Sequence, residues 1–248
     1  TGAGAAIITV NPAGNVVTTF TLALGEEEVW KIQYDQCQNE VMFGGGSYLG
    51  QQTYSLIKGL DTNLVGVYNK IDYFGGAFTG NIFPCCNDIA DMVLDCYGDL
   101  FFMTTNWYDS TVVGNQLSRS PAPHTTTTYT VHHGGGNFWE GLNTRFYSTY
   151  GTNRTNTMDV NKNFLYFFDG RTLFAKDKLA GTTISSVVVD PSYDKGLRLQ
   201  NEGIAVDECD NVYVGGQGLI HAYNFNGTML NSIGTITTSG SVYDLKLD

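Results

Sequence analysis

The chain has 248 residues, enough for one large all-β domain or two smaller ones with a sizeable core. It carries 24 acidic and 13 basic residues, a formal net charge of -11, so nucleic acids and anionic membranes are poor partners. No apolar run reaches the ~18 residues of a membrane span, and we expect no direct membrane insertion. Abundant Gly, Thr, Asn and Tyr are typical of a turn-rich β protein.

The chain opens with two predicted strands joined by a turn, in the stretch IITVNPAGNVVTTF at residues 7–20. Alternating apolar residues predict the strands. Asn11 and Gly14 suit the turn, because Asn bonds its own backbone and Gly tolerates left-handed geometry. The same shape recurs in YSLIKGLDTNLVGVY, TLFAKDKLAGTTISSVVV and LIHAYNFNGTMLNSIGT. We interpret it as strands C and D of a repeating unit.

A second pattern supplies strands A and B of the unit, and it is clearest in GIAVDECDNVYVGG at residues 203–216. Apolar alternation ends at Asp207, and a β-rich run begins at Asn211, so the pattern predicts two strands joined by an Asp-capped turn. The same order recurs in KIQYDQCQNEVMFGG, DMVLDCYGDLFFM and TMDVNKNFLYFF, whose turn residues are Asp35, Asp95 and Asn161. VYDLKLD begins a further copy and stops at Asp248.

Four-stranded units at this spacing are the sequence signature of a β-propeller. We therefore expect a single all-β domain, a propeller of five to seven four-stranded antiparallel blades. The sequence of residues 1–35 aligns with that of residues 214–248 without a gap, so the chain begins and ends inside a repeating unit. Either the two ends share one blade, or the sequence is a segment of a longer protein. A β-sandwich is the rival architecture. The predicted units are 1–26 (partial), 27–75, 88–151, 155–190, 201–235 and 241–248 (partial).

Two of these stretches resemble known repeats. GIAVDECDNVYVGG resembles the D-x-x-G-N-x-Y-V-x-G signature of NHL-like and SBBP-like bacterial β-propeller repeats. RFYSTYG at 145–151 is similar to the L-x-Y-S-T-Y-L-G segment that precedes this signature in the SBBP-like repeats. A Cys in the A–B turn is similar to a variant in very large secreted surface proteins of gliding, Bacteroidota-type bacteria, often adhesins exported by type IX secretion. The resemblance implies an extracellular scaffold or adhesive module, and it does not imply a reaction.

The five cysteines fit no zinc site, because there is no CxxC and no nearby His pair. The adjacent residues Cys85 and Cys86 are the disulfide candidates, and a strained bridge between them or free thiols both stay open. A bridge from either one to Cys96 is disfavoured, because the intervening strand would separate them by more than about 20 Å. The odd number of cysteines leaves room for a partner thiol outside the segment or for a free thiol.

The acidic group Asp207, Glu208, Cys209 and Asp210 is either a cation site or a polar turn. The other copies keep Asp or Asn at the turn and lose the Glu, which favours the turn. DVNKN at 159–163 lacks the Gly and Glu of a calcium loop. No Ser or Cys shows a His–acid arrangement, and no phosphate-binding loop is present. We therefore expect no catalytic residue, no metal and no cofactor.

The largest departure from the repeat is residues 105–143, where aromatic and polar side chains are concentrated. The candidate ligand-binding residues there are Trp107, Tyr108, His133, Asn137, Trp139 and Glu140. Aromatic platforms beside amide and carboxylate groups suit sugar or protein recognition, although such a loop can also cover the propeller's own surface. The candidate glycosylation sites are Ser110, Asn153 and Asn226.

These observations predict a non-catalytic, extracellular structural or adhesive propeller module of a large bacterial cell-surface protein. Its expected partners are other domains of the same protein, other surface proteins, or glycans. The first alternative is a glycan-binding, lectin-like propeller that uses residues 105–143. The second is a propeller hydrolase or lyase with carboxylates lining the central channel.

Overall fold

The computed structural model describes most of the predicted strands. The described residues are 6–21, 28–46, 55–64, 67–72, 87–106, 116–122, 124, 130–134, 157–168, 171–189, 203–242 and 244–247. They form eighteen strands, arranged as four four-stranded sheets and one two-stranded sheet. Within these ranges no helix has the length and hydrophobicity needed to cross a membrane.

In every sheet the strands lie side by side in chain order. The two-stranded sheet contains β1 (Ala6–Val10) and β2 (Val16–Thr21). The next contains β3 (Glu28–Asp35), β4 (Glu40–Gly46), β5 (Ser55–Asp61) and β6 (Val67–Asp72). The third contains β7 (Asn87–Leu94), β8 (Leu100–Asn106), β9 (Gln116–Ser120) and β10 (Thr130–Gly134).

The two remaining sheets come from the second half of the chain. One contains β11 (Thr157–Val160), β12 (Phe164–Phe168), β13 (Thr172–Asp177) and β14 (Thr183–Val188). The other contains β15 (Ile204–Val206), β16 (Asn211–Gly215), β17 (Gln217–Phe225) and β18 (Leu230–Ser241). The predicted four-stranded antiparallel units are thereby confirmed. β18 continues to Ser241, beyond residue 235, where the sequence pattern placed the end of this unit.

The chain divides into two compact units. Unit 1 comprises Thr1–Asn106 and Arg119–Thr130, and unit 2 comprises Trp107–Ser118 and Val131–Asp248. Strands β1 to β8 belong to unit 1 and strands β11 to β18 to unit 2, while the division passes through β9 and β10.

In unit 1 the second strand of the β3–β6 sheet, β4, is buried on both faces. Met42 and Phe43 are neighbours in β4, so their side chains point to opposite faces. Phe43 packs with Ile7 of β1, whereas Met42 packs with Met92 of β7 and Phe102 of β8. Successive sheets therefore stack face to face, which is how propeller blades bury their apolar surface.

Unit 2 is held together by an aromatic core between its two sheets. Tyr166 and Phe168 of β12 pack against Val212 of β16 and Phe225 of β17. Phe164 meets Phe225 edge to face, with ring centroids 4.8 Å apart. Burial of each such aromatic side chain stabilises the fold by about 1.5–3 kcal/mol, so this core accounts for much of the cohesion of the unit.

Candidate functional site

The polar residues of the repeat lie in the four turns that join the first two strands of each four-stranded sheet, here called the A–B turns. In each of them one side-chain oxygen of the first residue accepts hydrogen bonds from two backbone N–H groups of the same turn, at 2.8–3.1 Å. The first residues are Asp35, Asp95, Asn161 and Asp207. The predicted role of these residues as turn caps is confirmed.

The same device closes the turns between the third and fourth strands of three sheets and between β1 and β2, here called the C–D turns. The capping residues are Asn11, Asp61, Asp177 and Asn226. The gap-free alignment matched Gly14 to Gly227, and both adopt a positive φ, of 83° and 87°. It matched Asn11 to Asn224, two residues before the residue that caps this turn. The residue in the capping role is Asn226, whereas Asn224 donates to Asn211 Oδ1 at 3.0 Å.

In unit 1 a buried histidine lies against the first A–B turn. His124 Nε2 is 3.8 Å from Asp35 Oδ2, and His124 Nδ1 is 3.4 Å from Ser120 Oγ. His124 adopts a φ of 58°, a left-handed conformation uncommon for a residue with a side chain. Asp35 Oδ1 is already engaged by Cys37 N and Gln38 N.

Ser120, His124 and Asp35 are the residue types of a hydrolytic triad, but their placement is not that of an active site. The three residues are 0%, 3% and 2% exposed, so no substrate reaches the hydroxyl. The separation of 3.8 Å between histidine and carboxylate exceeds hydrogen-bonding distance. The arrangement instead fixes the segment after β9 against the turn after β3.

An ion pair joins β9 itself to the second A–B turn. Arg119 Nε donates to Asp99 Oδ2 at 2.9 Å, and its Nη2 donates to the same oxygen. Ala122 N lies 3.4 Å from Asp99 Oδ1. We call Asp35, Gly98, Asp99, Arg119 and His124 the unit 1 turn cluster.

In unit 2 two neighbouring A–B turns contact each other directly. Asn161 Nδ2 donates to Asp210 Oδ1 at 2.6 Å and to the Asp207 carbonyl oxygen at 3.1 Å. Tyr166 donates its hydroxyl to the same Asp210 oxygen at 3.0 Å. Burial, and then the charge of Asp210, raise the pKa of Tyr166 far above its usual range, so the phenol stays protonated and keeps donating. We call Asn161, Tyr166, Asp207 and Asp210 the unit 2 turn cluster.

The carboxylate of Asp207 is fully engaged within its own turn. Asn211 Nδ2 donates to Oδ2 at 2.8 Å, while Oδ1 accepts from the Cys209 and Asn211 backbone. Burial alone would raise the pKa of Asp207, but these hydrogen bonds outweigh it and lower that pKa. At neutral pH the carboxylate is therefore an ionised turn cap.

The turn tips carry the exposed thiols. Cys37, Cys96 and Cys209 are exposed free cysteines, and each lies in an A–B turn. No three His, Cys, Asp or Glu side chains among the described residues come together in a way that could hold a metal ion.

The first strand of the β3–β6 sheet presents a different chemistry on each face. Lys31 Nζ pairs with Asp91 Oδ1 at 3.1 Å, and Gln33 donates to the Met92 carbonyl oxygen at 3.0 Å, so this face contacts β7. The alternate residues Ile32 and Tyr34 are 48% and 50% exposed. These two side chains therefore present apolar surface to solvent on the face of β3 that does not contact β7.

Most of the residues that the sequence singled out lie outside the described part of the chain. These are Trp107, Tyr108, Asn137, Trp139, Glu140, Cys85, Cys86, Ser110 and Asn153. His133 lies in β10, and Asn226 lies in an exposed C–D turn. The expectation that residues 105–143 depart from the repeat as loops is wrong in part, because β9 and β10 of a four-stranded sheet lie within this range. Sequence reasoning gave no role to Ser120, Arg119 or His124, because their partners are not close in sequence.

Comparison with solved structures establishes the fold. No family model and no curated protein matches this sequence. BamB from Moraxella catarrhalis is 16% identical, with a TM-score of 0.53, over 100% of this chain and 62% of its own. U3-55K is 10% identical, with a TM-score of 0.57, over 94% of this chain and 60% of its own. The calcium-binding protein regucalcin from Agrobacterium tumefaciens is 12% identical, with a TM-score of 0.52, over 94% of this chain and 66% of its own.

These structures are β-propeller proteins, and the chain spans less than two thirds of the length of each. At such low identity the likeness concerns the fold alone. The chain is an all-β protein of the propeller type.

Proposed function

We propose that this chain is a non-catalytic, protein-binding propeller with a structural or adhesive role in a large extracellular protein of a Bacteroidota-type bacterium. One observation carries the proposal. The capping side chains of the described A–B turns are committed to holding those turns, while Ile32, Tyr34 and Tyr97 of unit 1 stand about half exposed. Half-exposed tyrosines offer large, rigid contact area at low entropy cost, which suits a binding surface.

The test uses immobilised outer-surface proteins of the source bacterium and, in parallel, an array of purified glycans. Binding to the protein surface should fall about tenfold or more in the Tyr34→Ala/Tyr97→Ala variant, which removes two aromatic anchors. The matched control is Leu179→Ala/Met229→Ala, which trims two exposed apolar residues of the C–D turns in unit 2 and should leave binding unchanged.

The same experiment separates the two alternatives from the proposal. Binding to a defined glycan that Trp139→Ala abolishes would favour the lectin-like propeller. Release of product from an array glycan would favour the hydrolase or lyase. Protein binding that survives loss of both tyrosines would contradict the assignment of the surface.

We also propose that the propeller has five to seven blades and that the two chain ends share one of them. The alignment of residues 1–35 with 214–248 supports this. If the ends share a blade, deletion of residues 242–248 should remove the hydrogen-exchange protection of the backbone amides in β1 and β2. Unchanged protection of both strands would contradict a shared blade.

The extracellular location is likewise a proposal, supported by the resemblance to secreted surface repeats. Antibodies raised against the chain should label intact cells of the source bacterium. Labelling that requires permeabilised cells would contradict it.

A further inference from the structure

Two of the exposed thiols lie on neighbouring turns of unit 1. Cys37 is in the turn between β3 and β4, and Cys96 is in the turn between β7 and β8. Both side chains are exposed, and neither is engaged in a disulfide. The third exposed thiol, Cys209, is in the equivalent turn of unit 2.

The side chain of Cys37 lies on the backbone of the turn that carries Cys96. A Cβ built on Gly98 would lie 3.4 Å from Cys37 Cβ and 3.6 Å from Cys37 Sγ. Two bridged cysteines have Cβ atoms about 3.5–4.5 Å apart, so the Cβ of Cys37 lies just inside bridging distance of position 98 and is close enough for a bridge to this turn.

Cys96 is two residues from that position in the same tight turn. Gly98 N donates to the Asp95 carbonyl oxygen at 3.0 Å, which closes the turn over residues 95–98. Two residues span at most about 7 Å of chain, so Cys96 lies within that distance of the contact made by Cys37. Both cysteines are exposed, so the residues that would move to join the two sulfurs are at the surface.

We propose that Cys37 and Cys96 form a disulfide under oxidising conditions and so link the β3–β6 sheet to the β7–β10 sheet. With a small disulfide such as oxidised glutathione as the oxidant, one cysteine thiolate attacks it and releases one glutathione. The second thiolate then attacks the mixed disulfide, closes the Cys37–Cys96 bond and releases the second glutathione. Two protein thiols are oxidised, one disulfide is reduced, and the two protons pass to the released glutathione thiolates.

The test uses the full chain with Cys85, Cys86 and Cys209 replaced by Ser, which leaves only the proposed pair. After equilibration with oxidised and reduced glutathione, we expect a mass lower by two hydrogen atoms and a proteolytic peptide that joins residues 37 and 96. The matched control keeps Cys209 as its only cysteine. The internal bond should persist in at least about tenfold more reduced glutathione than the mixed disulfide of the control, because closure within one molecule benefits from a high effective concentration.

A second measurement compares the same protein in urea and in buffer, so its result does not depend on a comparison between variants. The same equilibration in urea should weaken formation of the internal bond at least about tenfold, because the folded turns no longer hold the thiols together. In the folded protein the bond should raise the thermal midpoint by on the order of 5–10 °C relative to the reduced form. Two bound glutathione molecules without an internal bond, or equal bond formation in urea and in buffer, would overturn the proposal.

Discussion

The two turn clusters share the Asp or Asn cap of the A–B turn, but different kinds of side chain make the contacts to those turns. In unit 1 the contacts come from a third segment, with an ion pair between Arg119 and Asp99 and with His124 Nε2 lying 3.8 Å from Asp35 Oδ2. In unit 2 the contacts are direct and rely on neutral donors, with Asn161 and Tyr166 both donating to Asp210. A propeller therefore conserves the turn cap while the link between turns is free to vary.

The difference lies in the residue at the left-handed position of the second turn. In unit 1 this position is Gly98, with a φ of 84°, and the space beside it is filled by Cys37. In unit 2 it is Asp210, with a φ of 61°, whose carboxylate receives both donors. An acidic residue at this position recruits hydrogen-bond donors, whereas a glycine leaves room for side-chain packing.

The largest effect should come from a substitution that sharpens this contrast between the units. A Cβ on Gly203 of unit 2 would lie 2.8 Å from the Asp244 carbonyl carbon, and the φ of this glycine is 84°. Gly203→Ala should lower the free energy of unfolding by about 3–5 kcal/mol, because backbone strain and a backbone clash add. The measurement is chemical denaturation followed by hydrogen exchange of unit 2 peptides.

Two matched variants separate the sources of that cost. Gly227 has a φ of 87°, and a Cβ built on it would lie in open space. Gly227→Ala should therefore lower the free energy of unfolding by only about 1–2 kcal/mol, through backbone strain alone. A Cβ on Gly98 of unit 1 would make ordinary contacts of 3.4–3.7 Å with the side chains of Cys37 and Ala122, so Gly98→Ala should cost about as much as Gly227→Ala. Equal costs at all three glycines would contradict the role of the close backbone approach.

The second prediction concerns a buried charge that unit 2 carries. Lys176 is 1% exposed, and burial lowers its pKa to about 8. Because this value lies below the ordinary 10.5, the unfolded chain binds more protons between these two pKa values. The stability of unit 2 should therefore rise by up to about 3 kcal/mol as the pH increases from 7 to 10.5.

Lys176→Met should remove this rise, because the methionine has no proton to lose while it keeps the apolar stem. Denaturation of both proteins at a series of pH values checks the slope. A slope that persists in Lys176→Met would assign the effect to other groups.

The third prediction gives unit 2 the acidic residue that unit 1 has at the same turn position. Asn161→Asp keeps the turn cap but places a carboxylate against Asp210. At pH 7 this should destabilise unit 2 by about 2 kcal/mol, with Lys178 Nζ, 3.4 Å from the backbone oxygen of residue 161, offsetting part of the repulsion. The deficit should shrink toward pH ~4, as one carboxylate accepts a proton and donates again.

The reciprocal variant in unit 1 is Asp35→Asn. It also keeps the cap and should cost about 1 kcal/mol or less, because the interaction with His124 is longer than a hydrogen bond. Urea denaturation at both pH values compares the two. If Asp35→Asn costs as much as Asn161→Asp, the distinction between the long contact in unit 1 and the hydrogen-bonded linkage in unit 2 fails.

The smallest effect concerns the fall in the free energy of unfolding as the pH is lowered. The lowered pKa of Asp207 means that this carboxylate contributes stability above the ordinary value of 3.8, which is lost as the pH falls through its folded-state pKa. Asp207→Asn should make this fall less steep and cost about 0.5–1 kcal/mol at pH 7, through the lost acceptor for the Asn211 side chain. Urea denaturation midpoints of both proteins between pH 5 and 2 check this difference in slope. The native cap Asn161 shows that an amide can hold the same turn.

The strands and their caps could be predicted from the sequence because their determinants are local. Asp35, Asp95, Asn161 and Asp207 bond backbone groups two to four residues away, and apolar alternation marks the strands on both sides. A short window of sequence contains all the information that such a turn needs.

The links between turns could not be predicted, because nothing in the sequence marks the partner. His124 and Asp35 are far apart along the chain, and their approach depends on how two sheets stack. The alignment of the ends also missed the shift of two residues between Asn224 and Asn226, because both positions are Asn and only the backbone geometry distinguishes them.

The local caps also shape how the chain reaches its structure. Each capped hairpin satisfies its own turn with contacts two to four residues apart, so it can form within about 1–10 μs without waiting for a neighbour. Stacking of the sheets, and contacts such as that of His124 with Asp35, come later because they close much longer loops. Each capped turn is thus an independent starting point for folding.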